Sequence, residues 1–352
     1  MASLIGNDVY AKANETTSAK KKKVLKKTVA AKRAGSKKQT IKNRRASTRQ
    51  ATRTKRIVKR AAHSRKLIAA KRASYAKQGG RRKAISPAIH FGTDPSDLRS
   101  DAAYIYDVQN SQSLYSKDAD EALPIASLTK LMTALIVLEG RQDMNEVLEV
   151  TRDDIDTIKH TSSRLPIGAK LSRSDMLHIA LMSSENRAAS ALGRHYPGGL
   201  PAFVNAMNGM AKLLGMESTH FVEPTGLSPQ NVASARDLSK LVIAAQAHPL
   251  IRQYSTHRNH VVNIGNRVLQ YRNTNRMVSY STWDITLQKT GYIAEAGRCL
   301  IMQADIQGRP IIMVFLGSEG KFSRTADAST MRHWLEKTRL PQLADATVAT
   351  QS

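Results

Sequence analysis

Residues 124–134 read Pro-Ile-Ala-Ser-Leu-Thr-Lys-Leu-Met-Thr-Ala, and the apolar run continues to Glu139 before Gly140. A proline ahead of a long apolar stretch that ends at glycine is typical of a buried helix, so we predict a helix over residues 126–139. Ser127 falls in the first turn of this helix, and Lys130, about one turn later, projects from the same face. The segment therefore predicts a hydroxyl and an amine held side by side.

Two further short motifs follow in the chain, Ser184-Glu185-Asn186 and Lys289-Thr290-Gly291. Each is weak evidence alone, because such tripeptides and the Ser-x-x-Lys spacing also arise by chance. The ordered set of three is typical of active-site serine enzymes that are acylated by a D-alanyl-type amide or a β-lactam ring. The motifs lie 57 and 105 residues apart, so we expect folding to bring three distant segments into one cleft.

The residue types in the three motifs suit acyl transfer. A serine hydroxyl needs a base, and a lysine amine is a base only when burial or a nearby cation, such as Lys289, keeps it neutral. We assign the hydroxyl to Ser127 and the base to Lys130. We expect Ser184 to relay a proton to the leaving amine and Asn186 to orient Lys130 and the substrate.

The third motif is a candidate substrate-binding strand. Lys289 and Thr290 offer a charge and a hydroxyl to a substrate carboxylate, and Gly291 leaves room for a substrate strand to approach. The N–H groups of Tyr292 and Ser127 are candidate donors to a developing oxyanion.

The distribution of strand and helix signals predicts an α/β fold. Strand patterns occur early, at 103–108 and 113–116, and again late, at 284–290, 298–306 and 310–317, before a helix over 324–337. Capping signals at Ser172 and Ser234 and a proline at Pro201 start helices in between, and Pro249 ends one. We therefore predict an antiparallel sheet drawn from both ends of the domain and flanked by helices, with an inserted helical lobe at roughly 141–280.

The formal net charge of +27 is concentrated near the N-terminus, where residues 1–90 hold 28 Lys or Arg and two acidic residues. A segment so charged and so poor in aromatic residues buries too little apolar surface to fold, so we predict a disordered tail over 1–88. A catalytic domain would follow at 89–342, and a short tail at 343–352. The basic tail is either a contact for a polyanion or a solvated spacer, and its lack of interleaved aromatics argues against base stacking.

The chain resembles a low-molecular-mass class C penicillin-binding protein over residues 101–340. Beyond the three motifs, the resemblance rests on the 124–134 segment, on His220-Phe-Val-Glu-Pro-Thr-Gly-Leu followed by Ala235-Arg-Asp-Leu, and on Ala326-Asp-Ala. The Ser-Glu-Asn triplet is similar to the D-alanyl-D-alanine endopeptidase branch (the penicillin-binding protein seven type), whereas carboxypeptidases of the family usually have Gly in place of Glu185.

The resemblance implies a β-lactamase/transpeptidase-like fold and a serine DD-peptidase. Ser127 would be acylated, the implied substrate is the D-alanyl crosslink of peptidoglycan, and β-lactams would be covalent inhibitors. By the same resemblance the enzyme acts in the periplasm, although the N-terminus shows no apolar signal region. The alternatives are a D-alanyl-D-alanine carboxypeptidase that trims pentapeptides, a β-lactamase, and a polyanion-binding protein with an inert domain of this fold. A β-lactamase is disfavoured because no Glu-x-x-Leu-Asn segment follows Ser184.

The remaining chemistry-bearing residues suggest structural roles. The ten His residues show no metal-ligand spacing, so we expect neither a metal nor another cofactor. His178 is interpreted as a structural residue on a helix, and Cys299, the single cysteine, as a buried inert thiol in a strand. Arg272 and Arg276 are interpreted equally well as surface residues or as a clamp for a carboxylate.

Overall fold

The described part of the chain, residues 94–338 of the computed structural model, is organised around one antiparallel sheet. The predicted tails at 1–88 and 343–352 lie outside the described residues. In chain order the strands are β1 (Ala102–Asp107), β2 (Gln112–Lys117), β3 (Leu123–Pro124), β4 (Val147–Glu149), β5 (Lys170–Ser172), β6 (Val232–Ala233), β7 (Asn259–Ile264), β8 (Arg267–Arg272), β9 (Asp284–Ile293), β10 (Gly297–Ile306) and β11 (Arg309–Ser318). The five-stranded sheet has the order β2-β1-β11-β10-β9, so strands from both ends of the described segment pair, as predicted.

The helices lie between β2 and β9, except for the last one. They are α1 (Thr129–Glu139), α2 (Arg173–Met182), α3 (Asn186–Arg194), α4 (Gly199–Leu213), α5 (Ala235–Gln246), α6 (Pro249–Thr256) and α7 (Ser323–Thr338). Two of the predicted starts are confirmed by their caps, since Ser172 and Ser234 each accept a hydrogen bond from the backbone N–H three residues later. The predicted fold class, an antiparallel sheet flanked by helices with an inserted helical part, is confirmed.

Both faces of the sheet are covered, because its long strands alternate apolar side chains toward two separate cores. Leu300 and Met313 belong to the smaller core beneath α7, whereas Ile301 and Val314 belong to the larger one, which also contains α1 and α5. Burial on both sides explains why β10 and β11 read as nearly continuous apolar runs. The sheet is therefore buried on both faces, and β9 is one of its two edge strands, the other being β2.

Three local features differ from the sequence-based expectations. The β7–β8 hairpin was not predicted, and its weak alternation leaves Val261 and Val268 exposed. Pro249 does more than end α5, because it opens α6 as that helix's first residue, where its missing N–H costs nothing. Residues 126–128 form a 3₁₀ turn ahead of α1 instead of its first α-helical turn. Within residues 94–338, no helix is both long and apolar enough to cross a bilayer.

Candidate active site

Ser127 sits in a strained turn that other segments hold in place. Ala126 has a φ of +48°, a value that L residues seldom adopt, and its carbonyl accepts a 2.8 Å hydrogen bond from the Thr129 hydroxyl. Gly226, at a φ of +81°, packs so closely that a Cβ there would overlap the Ala126 carbonyl. The turn therefore depends on a glycine 99 residues away in the sequence.

Gly291 has a similar packing role. A Cβ on this residue would lie 2.9 Å from the carbonyl oxygen of Ile125 and 3.1 Å from the backbone N of Ser127. The space left by the missing side chain is thus taken up by the serine turn of the same chain. Room for a substrate strand at this position stays a prediction.

Lys130 lies beneath Ser127 with 1 % of its surface exposed. Its Nζ is 3.1 Å from Ser127 Oγ, 2.8 Å from Asn186 Oδ1 and 2.6 Å from the carbonyl oxygen of Thr225. Three oxygens match the three N–H bonds of an ammonium group. A neutral amine fits equally well, because two of these oxygens only accept hydrogen bonds whereas the serine hydroxyl can also donate one. The lone pair of neutral Lys130 would then point at Ser127.

Burial makes the neutral amine of Lys130 easier to reach than that of an exposed lysine. Burial lowers the pKa of Lys130 to about 8, against the opposing effect of the carboxylates of Glu223, Glu185 and Asp156. We expected the charge of Lys289 to lower the pKa of Lys130. Instead, the pKa of Lys289 is the one held well below its ordinary value, by burial first and by the charge of Lys130 second. The charge of Lys130 thus disfavours the charged form of Lys289.

The second motif spans the break between α2 and α3. Ser184 has a φ of +61°, and its Oγ accepts a 2.9 Å hydrogen bond from Lys289 Nζ. Glu185 caps α3: its carboxylate accepts hydrogen bonds from the backbone N–H of Arg187 and, at 2.6 Å, from the hydroxyl of Ser163. Hydrogen bonds within the fold therefore hold the carboxylate of Glu185.

The third motif forms the middle of the edge strand β9. Lys289 and Thr290 are buried, and the Thr290 hydroxyl is 2.7 Å from that of Thr274. Tyr292, in contrast, is 57 % exposed at the rim. β9 pairs only with β10 within the sheet, and Thr290, Gly291, Tyr292 and Ile293 of its other edge line the cavity. This part of the edge is a candidate site for an extended ligand.

The three motifs meet at one open cavity of about 420 Å³. Its walls include six residues singled out from the sequence: Ser127, Ser184, Asn186, Thr290, Gly291 and Tyr292. Lys130 and Lys289 reach it from behind through their contacts with the two serines. All eight candidate site residues are thus brought together.

Sequence reasoning missed four polar residues of the cavity wall: Lys159, Thr161, Thr274 and Arg324. Arg324 donates hydrogen bonds to the carbonyl oxygens of Gly291 and Cys299, and burial lowers its pKa to about 10, so that it is cationic at neutral pH. No sequence signal distinguished it from other arginines, because its position depends on how α7 packs against β10 and β11. Arg272, by contrast, is not part of the cavity wall.

The other residues considered from the sequence lie elsewhere. Cys299 is buried in β10, and burial raises the pKa of its thiol to about 11. His178 stacks between Tyr254 and His260 with ring centroids 4.2 and 3.9 Å away. In the described segment, no group of His, Cys, Asp and Glu side chains is arranged to hold a metal ion.

Residues 89–320 match the family described as D-alanyl-D-alanine carboxypeptidase. The chain belongs to this family. Among curated members of the family, it is 45 % identical over 255 residues to the D-alanyl-D-alanine endopeptidase of Pseudomonas aeruginosa, which covers 71 % of this chain and 82 % of that protein. It is 46 % identical over 242 residues to the D-alanyl-D-alanine endopeptidase of Escherichia coli, which covers 68 % of this chain and 78 % of that protein.

Solved structures agree with the family assignment. A Streptomyces DD-transpeptidase has a TM-score of 0.63 at 26 % identity and covers 68 % of this chain and 97 % of its own. A penicillin-binding protein of Listeria monocytogenes in its cefotaxime-bound form has a TM-score of 0.60 at 30 % identity, covering 68 % and 98 %. The transpeptidase-like fold expected from the resemblance is therefore confirmed for this D-alanyl-D-alanine carboxypeptidase family member.

Proposed function

We propose that this chain is a serine DD-peptidase that cleaves D-alanyl crosslinks of peptidoglycan through an acyl-enzyme on Ser127. The observation that carries the proposal is the buried amine of Lys130, 3.1 Å from the Ser127 hydroxyl and with a pKa lowered to about 8. The endopeptidase names of relatives at 45 % and 46 % identity favour crosslinks over free termini as the substrate.

In the proposed acylation, neutral Lys130 takes the hydroxyl proton of Ser127 while Oγ forms a bond to the acyl carbon of the D-alanyl residue. The backbone N–H groups of Ser127 and Tyr292 stabilise the oxyanion. As the oxyanion collapses, the C–N bond breaks and the leaving amine takes a proton from the Ser184 hydroxyl, which recovers one from Lys289. Protonated Lys130 then passes its proton through solvent to neutral Lys289, which restores both amines. Water attacks the ester carbon while Lys130 takes one of its protons, and the C–Oγ bond breaks as Lys130 returns that proton to Ser127 Oγ, which releases the acid and free Ser127.

The remaining residues bind and orient the substrate in this proposal. Asn186 contacts the substrate amide and Lys130 together, while Lys289 and Thr290 face the substrate carboxylate. The acyl strand lies along the edge of β9, where Thr290, Gly291 and Tyr292 line the cavity. Arg324 adds a positive charge to the same cavity, which suits an anionic substrate.

Digestion of purified crosslinked muropeptides tests the reaction. Conversion of dimers to monomers, separated by mass, is the expected result. Release of terminal D-alanine from pentapeptides with intact dimers would instead favour the carboxypeptidase alternative, which the family description supports.

Labelling with a fluorescent penicillin tests the nucleophile. The wild type should form a covalent adduct at Ser127, and Ser127→Ala should form none. Full labelling of Ser127→Ala would refute the assignment, and an unlabelled wild type would favour the inert polyanion-binding alternative. Rapid turnover of the adduct would indicate a β-lactamase.

We further propose that the enzyme acts in the periplasm, where its substrate lies, and that residues 1–88 hold it to a polyanion. The concentration of 28 basic residues in positions 1–90 supports this contact. A peptide of residues 1–88 should bind anionic vesicles or polyphosphate with an affinity that falls steeply with salt. Binding that is absent at low salt would favour the spacer interpretation.

A further inference from the structure

The loop before β5 carries a hydrogen-bond chain that ends on the amine of Lys130. Asn186 donates through Nδ2 to the Thr161 hydroxyl oxygen at 3.1 Å, and the Thr161 hydroxyl donates to Asp156 Oδ2 at 2.7 Å. On its other side, Asn186 Oδ1 accepts from Lys130 Nζ at 2.8 Å. This series of hydrogen bonds therefore runs from the Asp156 carboxylate, through the Thr161 hydroxyl and the Asn186 amide, to the Lys130 amine.

The direction of every bond in this chain follows from its first member. An ionised carboxylate only accepts hydrogen bonds, so the single hydroxyl proton of Thr161 is committed to Asp156. The Thr161 oxygen is then an acceptor toward Asn186, and the amide must present its NH₂ group to it. The amide oxygen is thereby turned toward Lys130.

Several hydrogen bonds hold the carboxylate of Asp156 in place. It accepts hydrogen bonds from the backbone N–H groups of Ile158, Lys159 and Thr161 in addition to the Thr161 hydroxyl. Although partial burial acts to raise the pKa of Asp156, these hydrogen bonds lower it overall, which keeps the carboxyl ionised. Asp156 therefore orders the loop and also fixes the direction in which the hydroxyl proton of Thr161 points.

The orientation of the Asn186 amide matters for the base. With Oδ1 toward Lys130, the neutral amine donates its two N–H bonds to Asn186 and to the carbonyl of Thr225, and its lone pair is left for the Ser127 hydroxyl. With the amide turned over, an N–H of Asn186 would point at the amine and would capture that lone pair.

We propose that Thr161 and Asp156 are positioning residues that lock the Asn186 amide in the orientation which directs the Lys130 lone pair at Ser127. This inference rests on the proposed function, since it assigns a task within the proposed acylation step. Thr161 is exposed at the open cavity wall, so water competes for its hydrogen bonds until a ligand covers it. The locking is therefore strongest in the liganded cleft.

The test compares Thr161→Val with Thr161→Ser in the full chain. Valine keeps the shape of threonine but cannot accept from Asn186, whereas serine keeps the hydroxyl. Neither change alters the charged groups around Lys130, which are Asp156 in the same loop, Glu185 at the start of α3, Glu223 before β6 and Lys289 on β9. Acylation by a fluorescent penicillin is measured as a second-order rate constant across pH, beside the melting temperature of each variant.

Thr161→Val should lower the plateau rate constant about tenfold, as expected for losing a hydrogen bond that orients an ionisable group. Its acid limb should move to lower pH, because an N–H turned toward Lys130 disfavours the ammonium form. Thr161→Ser should keep both the plateau rate constant and the midpoint of the acid limb at their wild-type values. A Thr161→Val profile that superimposes on that of the wild type would overturn the inference.

Two other outcomes separate this inference from its alternatives. A loss of rate in both variants with unmoved midpoints would mean that Thr161 only supports the loop, and it would also overturn the inference. If the wild type itself is not acylated, the proposed function fails instead. In that case the amide orientation is still read directly from the side-chain NH₂ resonances of Asn186 in wild type and Thr161→Val, and identical resonances would refute the locking.

Discussion

Acylation of Ser127 should rise with pH as Lys130 loses its proton. With a pKa of about 8, roughly 1 % of the amine is neutral at pH 6 and half at pH 8, so the rate constant should increase about 50-fold over that interval. An ordinary lysine of pKa near 10.4 would be neutral about 200-fold less often at pH 7. The assay is the second-order rate constant for labelling by a fluorescent penicillin from about pH 5.5 to 9.5.

Glu185→Gln removes a negative charge near Lys130, while the side chain keeps nearly the same size and shape. The carboxylate of Glu185 stabilises the ammonium form of Lys130, so its removal should lower the pKa further and move the acid limb to lower pH. Glutamine keeps an oxygen that can accept from Arg187 and Ser163, which preserves the cap of α3. Glu217→Gln removes the same charge from an exposed site and serves as the matched control.

A flat profile, or a wild-type midpoint near that of free lysine, would refute Lys130 as the base. A midpoint that moves upward in Glu185→Gln would refute the electrostatic account while leaving the base in place. Equal shifts in Glu185→Gln and Glu217→Gln would point to a change in overall charge.

Three further changes test the framework around the site. Gly226→Ala should reduce penicillin labelling at least about 100-fold, because its Cβ would displace the serine turn; Gly209→Ala, whose Cβ meets nothing within 4 Å, should label normally. His178, whose pKa burial lowers to about 3, stays neutral in the fold while the unfolded chain takes up a proton below about pH 6.5. This residue should therefore lower the free energy of unfolding by at most ~1.4 kcal/mol per pH unit as the pH falls from about 6.5 to 3. His178→Gln should flatten that slope, measured by urea titrations at different pH. An unchanged slope would contradict the assignment. Asp327→Ala should cost about 3 kcal/mol or more in the free energy of unfolding, because this buried carboxylate accepts hydrogen bonds from two backbone N–H groups and two serine hydroxyls; a loss below about 1 kcal/mol would contradict that role.

Several features of the fold were predictable because they depend on short-range chemistry. The caps at Ser172 and Ser234 involve a side chain and a backbone N–H three residues away, so their sequence signals survive in any tertiary context. The strands β10 and β11 were recognisable because each is a largely apolar run next to a Gly-containing turn. The β7–β8 hairpin was missed because its strands are largely exposed, which weakens the apolar pattern.

The candidate site also contains residues that the sequence predicts and residues that only the fold reveals. Its motif residues were identifiable because acyl transfer demands particular functional groups at fixed spacings. The places of Thr161 and Arg324 in the cavity wall were not predictable, because a threonine in a loop and an arginine on a helix are common, and which of them reach the cavity depends on the tertiary fold. The packing of Gly226 against Ala126 is likewise a contact between distant segments.

The order of the motifs, the residue types they contain and the helix and strand that carry two of them follow from the amino-acid sequence alone. Folding determines the rest: the burial that lowers the pKa of Lys130, the approach of Lys289 to Ser184, and the direction in which the Asn186 amide points. The physical reason is one of range. Side-chain chemistry and helix capping act over a few residues, whereas desolvation and hydrogen-bond direction depend on every segment that closes around the group.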